Sequence, residues 1–274
     1  MKTALVTGAN GGFGKLIALE LIKSGYFVIA AMRNRKKQAE LIEEVTKLQL
    51  EHFLEVVEMD VTDENQIQEV TSWIHSRFNR LDVLVNNAGY SQGGFTDHLA
   101  MKEWKDQFDV NFFGVIQVTK NLLPLLEQSE TAKIINLSSV SGILGFPGMG
   151  PYSASKFAVE GYSESLRLEL LRKNIFVSVV EPASYKTGIW ERGLEISATI
   201  PREDRFKNNT LAFAKRAYEN AGDPNEVAVL IKRICETNRP KFRYTVGKGA
   251  TSLRYIKKFI PWSIIEKSVI NRLK

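Results

Sequence analysis

The chain has 274 residues, enough for one large α/β domain or two small ones, and its 44% hydrophobic and 25% charged residues are the mix of a globular protein with a sizeable core. A single cysteine, Cys235, excludes an internal disulfide and points to a reducing compartment, and the isolated histidines His52, His75 and His98 show no metal-ligand spacing. The net charge of +6 is the charge of residues 248–274, where seven cations face one acid, so the neutral body does not look like a nucleic-acid binder.

MKTALVTGAN holds no apolar run long enough for a secretory signal or a membrane span, so a cytoplasmic location is expected. TALVTG is a short apolar run ending in glycine, a buried strand by length and flanks. GKLIALELIKSG has apolar residues at helical spacing and stops at Gly25. YFVIAAM predicts a second strand, KKQAELIEEVTKLQ a charged amphipathic helix and FLEVVEMD a strand ending in Asp60. ENQIQEVTSWIHSRF predicts a helix, LDVLVNN a strand, and MKEWKDQFDVNFFGVIQVTKNLLPLLEQ one long helical stretch. AKIINLSS is a strand, the segment from Pro151 to about Arg172 a helix, and IFVSVVEPA the sixth strand. Residues 184–223 read as a polar, irregular insertion with a short helical run, LAFAKRAYENAG. PNEVAVLIKRICET then predicts a helix and FRYTVG a last strand. Strands alternating with helices imply βαβ units, and near-continuous apolar strands imply burial on both faces. The expectation is a single-domain α/β chain with a doubly wound parallel sheet of about seven strands.

The first strand runs into TGANGGFG, residues 7–14, and then a helix. Glycines at 8, 12 and 14 let backbone turn tightly and approach a pyrophosphate at the helix N-terminus. A triphosphate-hydrolysing phosphate loop is excluded, because Ala9 and Leu16 stand where it needs glycine and Ser or Thr. A site for NAD places an acid near the end of the second strand to hold the ribose 2′-OH. Here the stretch is AAMRNRKK, with Arg33, Arg35, Lys36 and Lys37 and no acid. A guanidinium binds a 2′-phosphate bidentately where a carboxylate would repel it. The expectation is NADP, with NADPH preferred over NADH and Arg33 as the main contact.

Tyr152 and Lys156 in YSASK lie four residues apart, just after Pro151, and so on one face of the first turn of a helix. Alone, such a pair is more often a solvated helix face. Together with TGANGGFG at 7–14, NNAG at 86–89, Asn111, and Ser139 in INLSS, it resembles the short-chain dehydrogenase/reductase family over roughly residues 1–190, and within it the retinol- and hydroxysteroid-dehydrogenase-like members. The resemblance implies a Rossmann fold and an NADP-dependent oxidoreductase that exchanges a carbonyl for an alcohol. Tyr152 is implied as the acid or base, although a free tyrosine has a pKa near ~10, so Lys156 and the oxidised nicotinamide are implied to favour the phenolate. Lys156 also holds the nicotinamide ribose, Ser139 polarises the substrate oxygen, and Asn111 holds a water that extends a proton relay through Lys156. The implied cofactor contacts are Gly8, Asn10, Gly12, Phe13, Gly14, Arg33, Asp60, Val61, Asn87, Ala88, Gly89, Tyr152, Lys156, Pro182 and Thr187. Asp60 reads equally as a helix cap in DVTDE. The family has Pro-Gly after the sixth strand, whereas this chain has Pro182-Ala183, and Ala takes a left-handed conformation only at a cost. A catalytically silent, NADP-sensing or scaffold protein of the same fold is the alternative.

The substrate pocket is expected from residues 140–150, 90–97 and the 184–223 insertion, with Ile143, Leu144, Phe146, Met149, Ile189 and Trp190 making it apolar. That points to an apolar ketone, aldehyde or secondary alcohol. Residues 1–248 are expected to form the catalytic domain and 249–274 a basic amphipathic tail. SLRYIKKFIPWSIIEKSVINRLK alternates cations with Ile, Phe and Trp, so it either docks on the body or a partner subunit, or rests weakly on an anionic membrane surface. A homodimer or homotetramer is the family's usual assembly.

Overall fold

The computed structural model describes residues 1–188 and 204–273. Seven strands form one sheet: β1 (Thr3–Thr7), β2 (Phe27–Met32), β3 (Leu54–Glu58), β4 (Val83–Asn86), β5 (Ala132–Leu137), β6 (Ile175–Pro182) and β7 (Arg243–Val246). They lie in the order β3-β2-β1-β4-β5-β6-β7, and every neighbouring pair is parallel. Each strand answers to a predicted one. β1, β2, β5 and β6 are buried along their whole length, as apolar runs covered on both faces must be.

The helices are α1 (Gly12–Lys23), α2 (Ala39–Lys47), α3 (Glu64–Phe78), α4 (Met101–Phe108), α5 (Gly114–Leu126), α6 (Gly150–Leu170), α7 (Arg205–Glu219), α8 (Asn225–Glu236), α9 (Ala250–Phe259) and α10 (Trp262–Leu273). The pleat divides the core into two layers. Ala4 and Val6 of β1 face α1 and α8 through Ile17 and Ile231, while Leu5 faces α3 and α5 through Ile67 and Val118. Each fully buried Val, Leu or Ile side chain here contributes about 1.5–3 kcal/mol of transfer free energy. Cys235 sits in the first layer, its thiol pushed up to about 12 by burial, which marks it as structural.

Three local differences from the sequence reading have physical causes. The long stretch 101–128 is not one α-helix: α4 passes into α5 through a π turn, Asp109–Phe113, which holds Asn111. α7 starts at Arg205 rather than Leu211, because the Asp204 carboxylate accepts the N–H groups of Phe206 and Lys207 and caps it there. The cap of α3 is Asp63, which accepts from Asn65 and Gln66, and not Asp60.

The chain leaves β1 toward β2 and β3, then crosses back to place β4 on the other side of β1. The loops after β1 and β4 therefore diverge and leave a crevice at the C-terminal ends of these strands, where open α/β sheets bind ligands.

Candidate active site

Backbone approach shapes the crevice. Gly8 has φ +65°, and a Cβ there would stand 2.9 Å from the Ala88 Cα. Gly14 opens the second half of the loop, and a Cβ on it would lie 2.2 Å from the Gly8 carbonyl oxygen and 2.6 Å from the Asn87 Nδ2. Only glycine lets α1 come this close to the end of β1. NNAG locks the loop from the far side. The Asn87 amide donates to the carbonyls of Thr7 at 2.8 Å and Gly8 at 3.2 Å, and the Thr7 hydroxyl accepts the N–H groups of Asn87 and Ala88, both at 2.9 Å. Asn87 is therefore a brace of the loop as well as a wall of the crevice. Asn10 and Gly12 stay exposed at the rim, and Thr187 packs beside Gly12, 3.6 Å from where a Cβ would sit. These cradle positions fit a dinucleotide pyrophosphate.

Ala183 takes no left-handed conformation, and its N–H donates to the Val246 carbonyl at 2.9 Å. The Pro182-Ala183 step thus continues the sheet edge without strain, and the departure from Pro-Gly leaves the Thr187 loop beside the crevice. Phe13 closes that side by an edge-on contact with Tyr185, which donates to Glu226 at 2.9 Å. Tyr185 belongs to no motif, and sequence reasoning missed it.

At the end of β2, Arg33 is 73% exposed and its Nε stands 4.0 Å from the Asp60 carboxylate. Asp60 accepts the N–H and hydroxyl of Thr62, which fixes the turn after β3, and the neighbouring Val61 is buried against Gly114. Arg35, Lys36 and Lys37 lie on an exposed single turn.

The reacting centre lies where β4 and β5 end and α6 begins. Pro151 is in the first turn of α6, and both Tyr152 and Lys156 are buried. The Lys156 Nζ donates to the Leu137 carbonyl at the end of β5, at 2.7 Å, and stands 5.7 Å from the Tyr152 ring centre. Burial pushes Lys156 down to about 8 and pushes the Tyr152 phenol up, while a hydrogen bond with Ser139 draws the phenol back down. Ser139 also accepts the Ser141 N–H at 3.1 Å, which holds its hydroxyl toward Tyr152. Ser138, by contrast, has a buried hydroxyl with no partner among the described residues, packed close to Gly142.

The Asn111 side chain is fully engaged. Its Oδ1 accepts the Tyr90 N–H at 3.1 Å, and its Nδ2 donates to the Tyr90 carbonyl at 3.0 Å and to the Ser155 hydroxyl at 3.3 Å. Gly89 packs on this amide, where a Cβ would meet it at 3.0 Å. Asn111 thus ties the loop after β4 to α6.

Tyr152, Ser139 and Lys156 open into one cavity of about 950 Å³ that also reaches Phe13, Pro182 and Thr187. Leu144, Phe146 and Met149 line it as expected; Ile143 does not, and Ile189 and Trp190 lie outside the described residues. Phe95, from the 90–97 segment, contributes another wall. The unexpected wall is the C-terminal region: Ile256, Ile260, Ile264, Ile265 and Val269, from α9, α10 and the turn between them, face the same cavity. The alternation of apolar and basic residues signalled an amphipathic tail, but not which element lay beneath it.

A seven-stranded doubly wound sheet with a glycine loop at its switch point and a Tyr–Lys pair at its edge defines a dinucleotide-dependent oxidoreductase. The chain belongs to the short-chain dehydrogenase/reductase family, whose short chain dehydrogenase profile matches residues 2–195. It is 40% identical to the uncharacterized oxidoreductase YusZ of Bacillus subtilis over 99% of this chain and 98% of that one. It is 36% identical to a 3-ketodihydrosphingosine reductase of Bacteroides thetaiotaomicron over 89% and 87% of the two chains. An NADPH-dependent 3-dehydrocapnine reductase of Ornithobacterium rhinotracheale is 32% identical over 100% and 98%. Among solved structures, a short-chain dehydrogenase from Streptomyces avermitilis superposes with a TM-score of 0.81 at 28% identity over 99% of this chain and 97% of that one. A family member from Burkholderia phymatum in complex with NAD superposes at 0.80, with 25% identity over 97% and 95%. The family acts on CH–OH and C=O groups of small molecules with a bound nicotinamide nucleotide.

Proposed function

We propose that this chain is an NADPH-preferring reductase of an apolar ketone or aldehyde, and in reverse a dehydrogenase of the matching alcohol. The observation that carries the reading is the meeting of Tyr152, Ser139 and Lys156 at the floor of a cavity walled by Leu144, Phe146 and Ile260. Residues 1–248 form the catalytic domain, and 249–274 supply a wall of its pocket.

Gly8, Asn10, Gly12, Phe13 and Gly14 hold the pyrophosphate side of the cofactor, and Asp60, Val61, Asn87, Ala88 and Gly89 the adenosine side. Pro182, Thr187, Tyr152 and Lys156 hold the nicotinamide side, and Arg33 takes the 2′-phosphate. Exposure suits Arg33 to this task, because its guanidinium keeps free donors beyond the Asp60 contact. When bound, the nicotinamide supplies the hydride. Tyr152 donates its phenol proton to the substrate oxygen in reduction and accepts it back in oxidation. Ser139 donates a hydrogen bond to the same oxygen and positions the carbonyl. Lys156, held by the Leu137 carbonyl, sets its positive charge below Tyr152 and eases the proton's departure. The Asn111 amide is used up in structural bonds, so its part in a relay falls to its backbone carbonyl in the π turn.

The NADPH reading rests on the basic end of β2 and on the relative named as NADPH-dependent. The apolar substrate rests on the cavity walls and on the relative named as a 3-ketodihydrosphingosine reductase. The test is NADPH oxidation by the full chain against a panel of apolar ketones and aldehydes beside small charged ketoacids, with Tyr152→Phe alongside. Turnover of apolar carbonyls, lost in the variant, supports the reading. Faster turnover of ketoacids, or an unaffected variant, refutes it.

A further inference from the structure

The pair α9–α10 does two things at once. One face closes the cavity through Ile256, Ile260 and Ile264, yet these three are also 42%, 39% and 57% exposed, so they stand at its mouth rather than its floor. The neighbouring face carries Tyr255, Phe259 and Trp262, which do not line this cavity and are 61%, 66% and 55% exposed. Tyr255 and Phe259 stack at 6.3 Å one turn apart, and Pro261 turns the chain so that Trp262 opens the next helix. Lys257 lies over the Trp262 ring at 4.8 Å and Lys258 over the Phe259 ring at 5.2 Å. The mouth is thus ringed by large apolar side chains with ammonium groups among them.

We propose that this rim is a docking surface for an anionic lipid bilayer, and that the cavity takes its substrate directly from that bilayer. Three observations select this occupant. Residues 248–274, from which the rim is built, carry seven cations and one acid, the whole net charge of the chain, which complements anionic headgroups. The same charge opposes pairing of two copies face to face, since a twofold contact would set like charges against each other. Exposed aromatic rings beside lysines are the composition of the membrane–water interface, where a ring sits at headgroup level and an ammonium reaches the phosphates. No helix among the described residues is long and apolar enough to cross a membrane, so contact is by lying on the surface.

The geometry gives the contact a purpose. An apolar ketone leaving a bilayer through the Ile256–Ile260–Ile264 mouth would pass from hydrocarbon to an apolar wall without crossing water. Arg254 fixes the inner end of α9 by an ion pair with the fully buried Glu181, at 2.8 Å, so the rim is anchored to β6. The delivery half of this inference rests on the proposed function; the docking half does not.

The test is co-sedimentation of the full chain with phosphatidylcholine vesicles and with vesicles carrying a minority of phosphatidylglycerol, at low and high salt. The expected result is binding to the anionic vesicles that falls with salt. It should weaken by at least about tenfold in Lys257→Glu/Lys258→Glu and in Phe259→Ser/Trp262→Ser. NADPH binding and melting temperature, measured on the same samples, should match the parent, because none of the four residues touches the cavity. Equal binding to neutral vesicles, or variants that bind as the parent does, would overturn the proposal. So would a dimer in solution that Phe259→Ser/Trp262→Ser dissolves, which would assign the rim to a second copy. Delivery is read separately. With an apolar ketone dissolved in anionic vesicles the variants should show a raised KM, while with a short water-soluble ketone they should match the parent. Vesicle binding without turnover of any carbonyl would leave docking standing and defeat only the enzymatic reading.

Discussion

At the ends of β1 and β4 the cavity is bounded by backbone, with carbonyls of Thr7 and Gly8 braced by the Asn87 amide and no room for a single added carbon at Gly14. At its other end the same cavity is bounded by side chains of two surface helices, with half-exposed isoleucines and aromatic rings turned to solvent. At Gly8 and Gly14 the first region leaves no room for a side chain, because short hydrogen bonds and close backbone approach leave nothing to adjust. The second is set by apolar faces, which accept any side chain of suitable size. One end therefore suits a ligand of fixed shape, and the other can be reshaped by substitution.

The largest effect belongs at the floor between the two regions. Tyr152→Phe should lower kcat for carbonyl reduction by about 10²–10⁴-fold. NADPH affinity by fluorescence titration should fall far less than the rate, because the phenol is one of several nicotinamide-side contacts; a variant that keeps its rate would show that proton transfer is elsewhere. Next comes the backbone-bounded region. Gly14→Ala forces a carbon against the Gly8 carbonyl and should cost about 1–3 kcal/mol, a melting drop of about 3–10 °C by calorimetry. Gly11→Ala meets nothing within 4 Å and should leave the melting temperature alone. Equal losses at both would deny that close approach governs the loop.

Arg33→Ala should raise the KM for NADPH by about tenfold and leave that for NADH unmoved. A parallel change in both would mean that Arg33 supports the fold rather than reading the 2′-phosphate. The pH profile tests the electrostatics of the floor. Burial raises the Tyr152 phenol, so it stays protonated through neutral pH and ready to act as an acid. Burial pushes Lys156 down to about 8, and on deprotonation it gives up the charge that eases proton release. Accordingly, kcat/KM for reduction should be level below pH 8 and decline above it. A rise across that range would refute the assigned charges. The smallest effect belongs to the helical wall. Burial pushes the Glu181 carboxyl up and the Arg254 ion pair opposes this, while Arg243 contacts Glu160, Glu164 and Glu181 nearby. Arg254→Ala leaves Arg243 in place, so it should raise the KM for an apolar ketone only about threefold to fivefold with kcat intact.

Much of the fold was legible because the information is local. Seven apolar runs with helical segments between them announced the parallel sheet, and the glycines of 7–14 announced the crevice. The four-residue spacing of Tyr152 and Lys156 announced a shared face. The cavity lining of Leu144, Phe146 and Met149 was likewise anticipated from their loop. Other features depended on partners distant in sequence. The Asn111 side chain meets Tyr90 and Ser155, twenty-one and forty-four positions away, and no short segment announces either contact. Tyr185 belongs to no motif, and its place in the site comes from packing against Phe13 and Glu226.

What the amino-acid order alone determined, then, is the alternation of strands and helices, the glycine loop and the Tyr–Lys spacing. Each depends on repeats of two to four residues that any short segment carries within itself. What only the tertiary structure decided is how these pieces are charged and walled. Lys156 is lowered because α6 buries it and hands its ammonium to the end of β5. The basic tail becomes a pocket wall because its two amphipathic helices lie over the open edge of the cavity. Periodicity tells a helix which face to bury, but the surface that covers it is chosen by the folded chain.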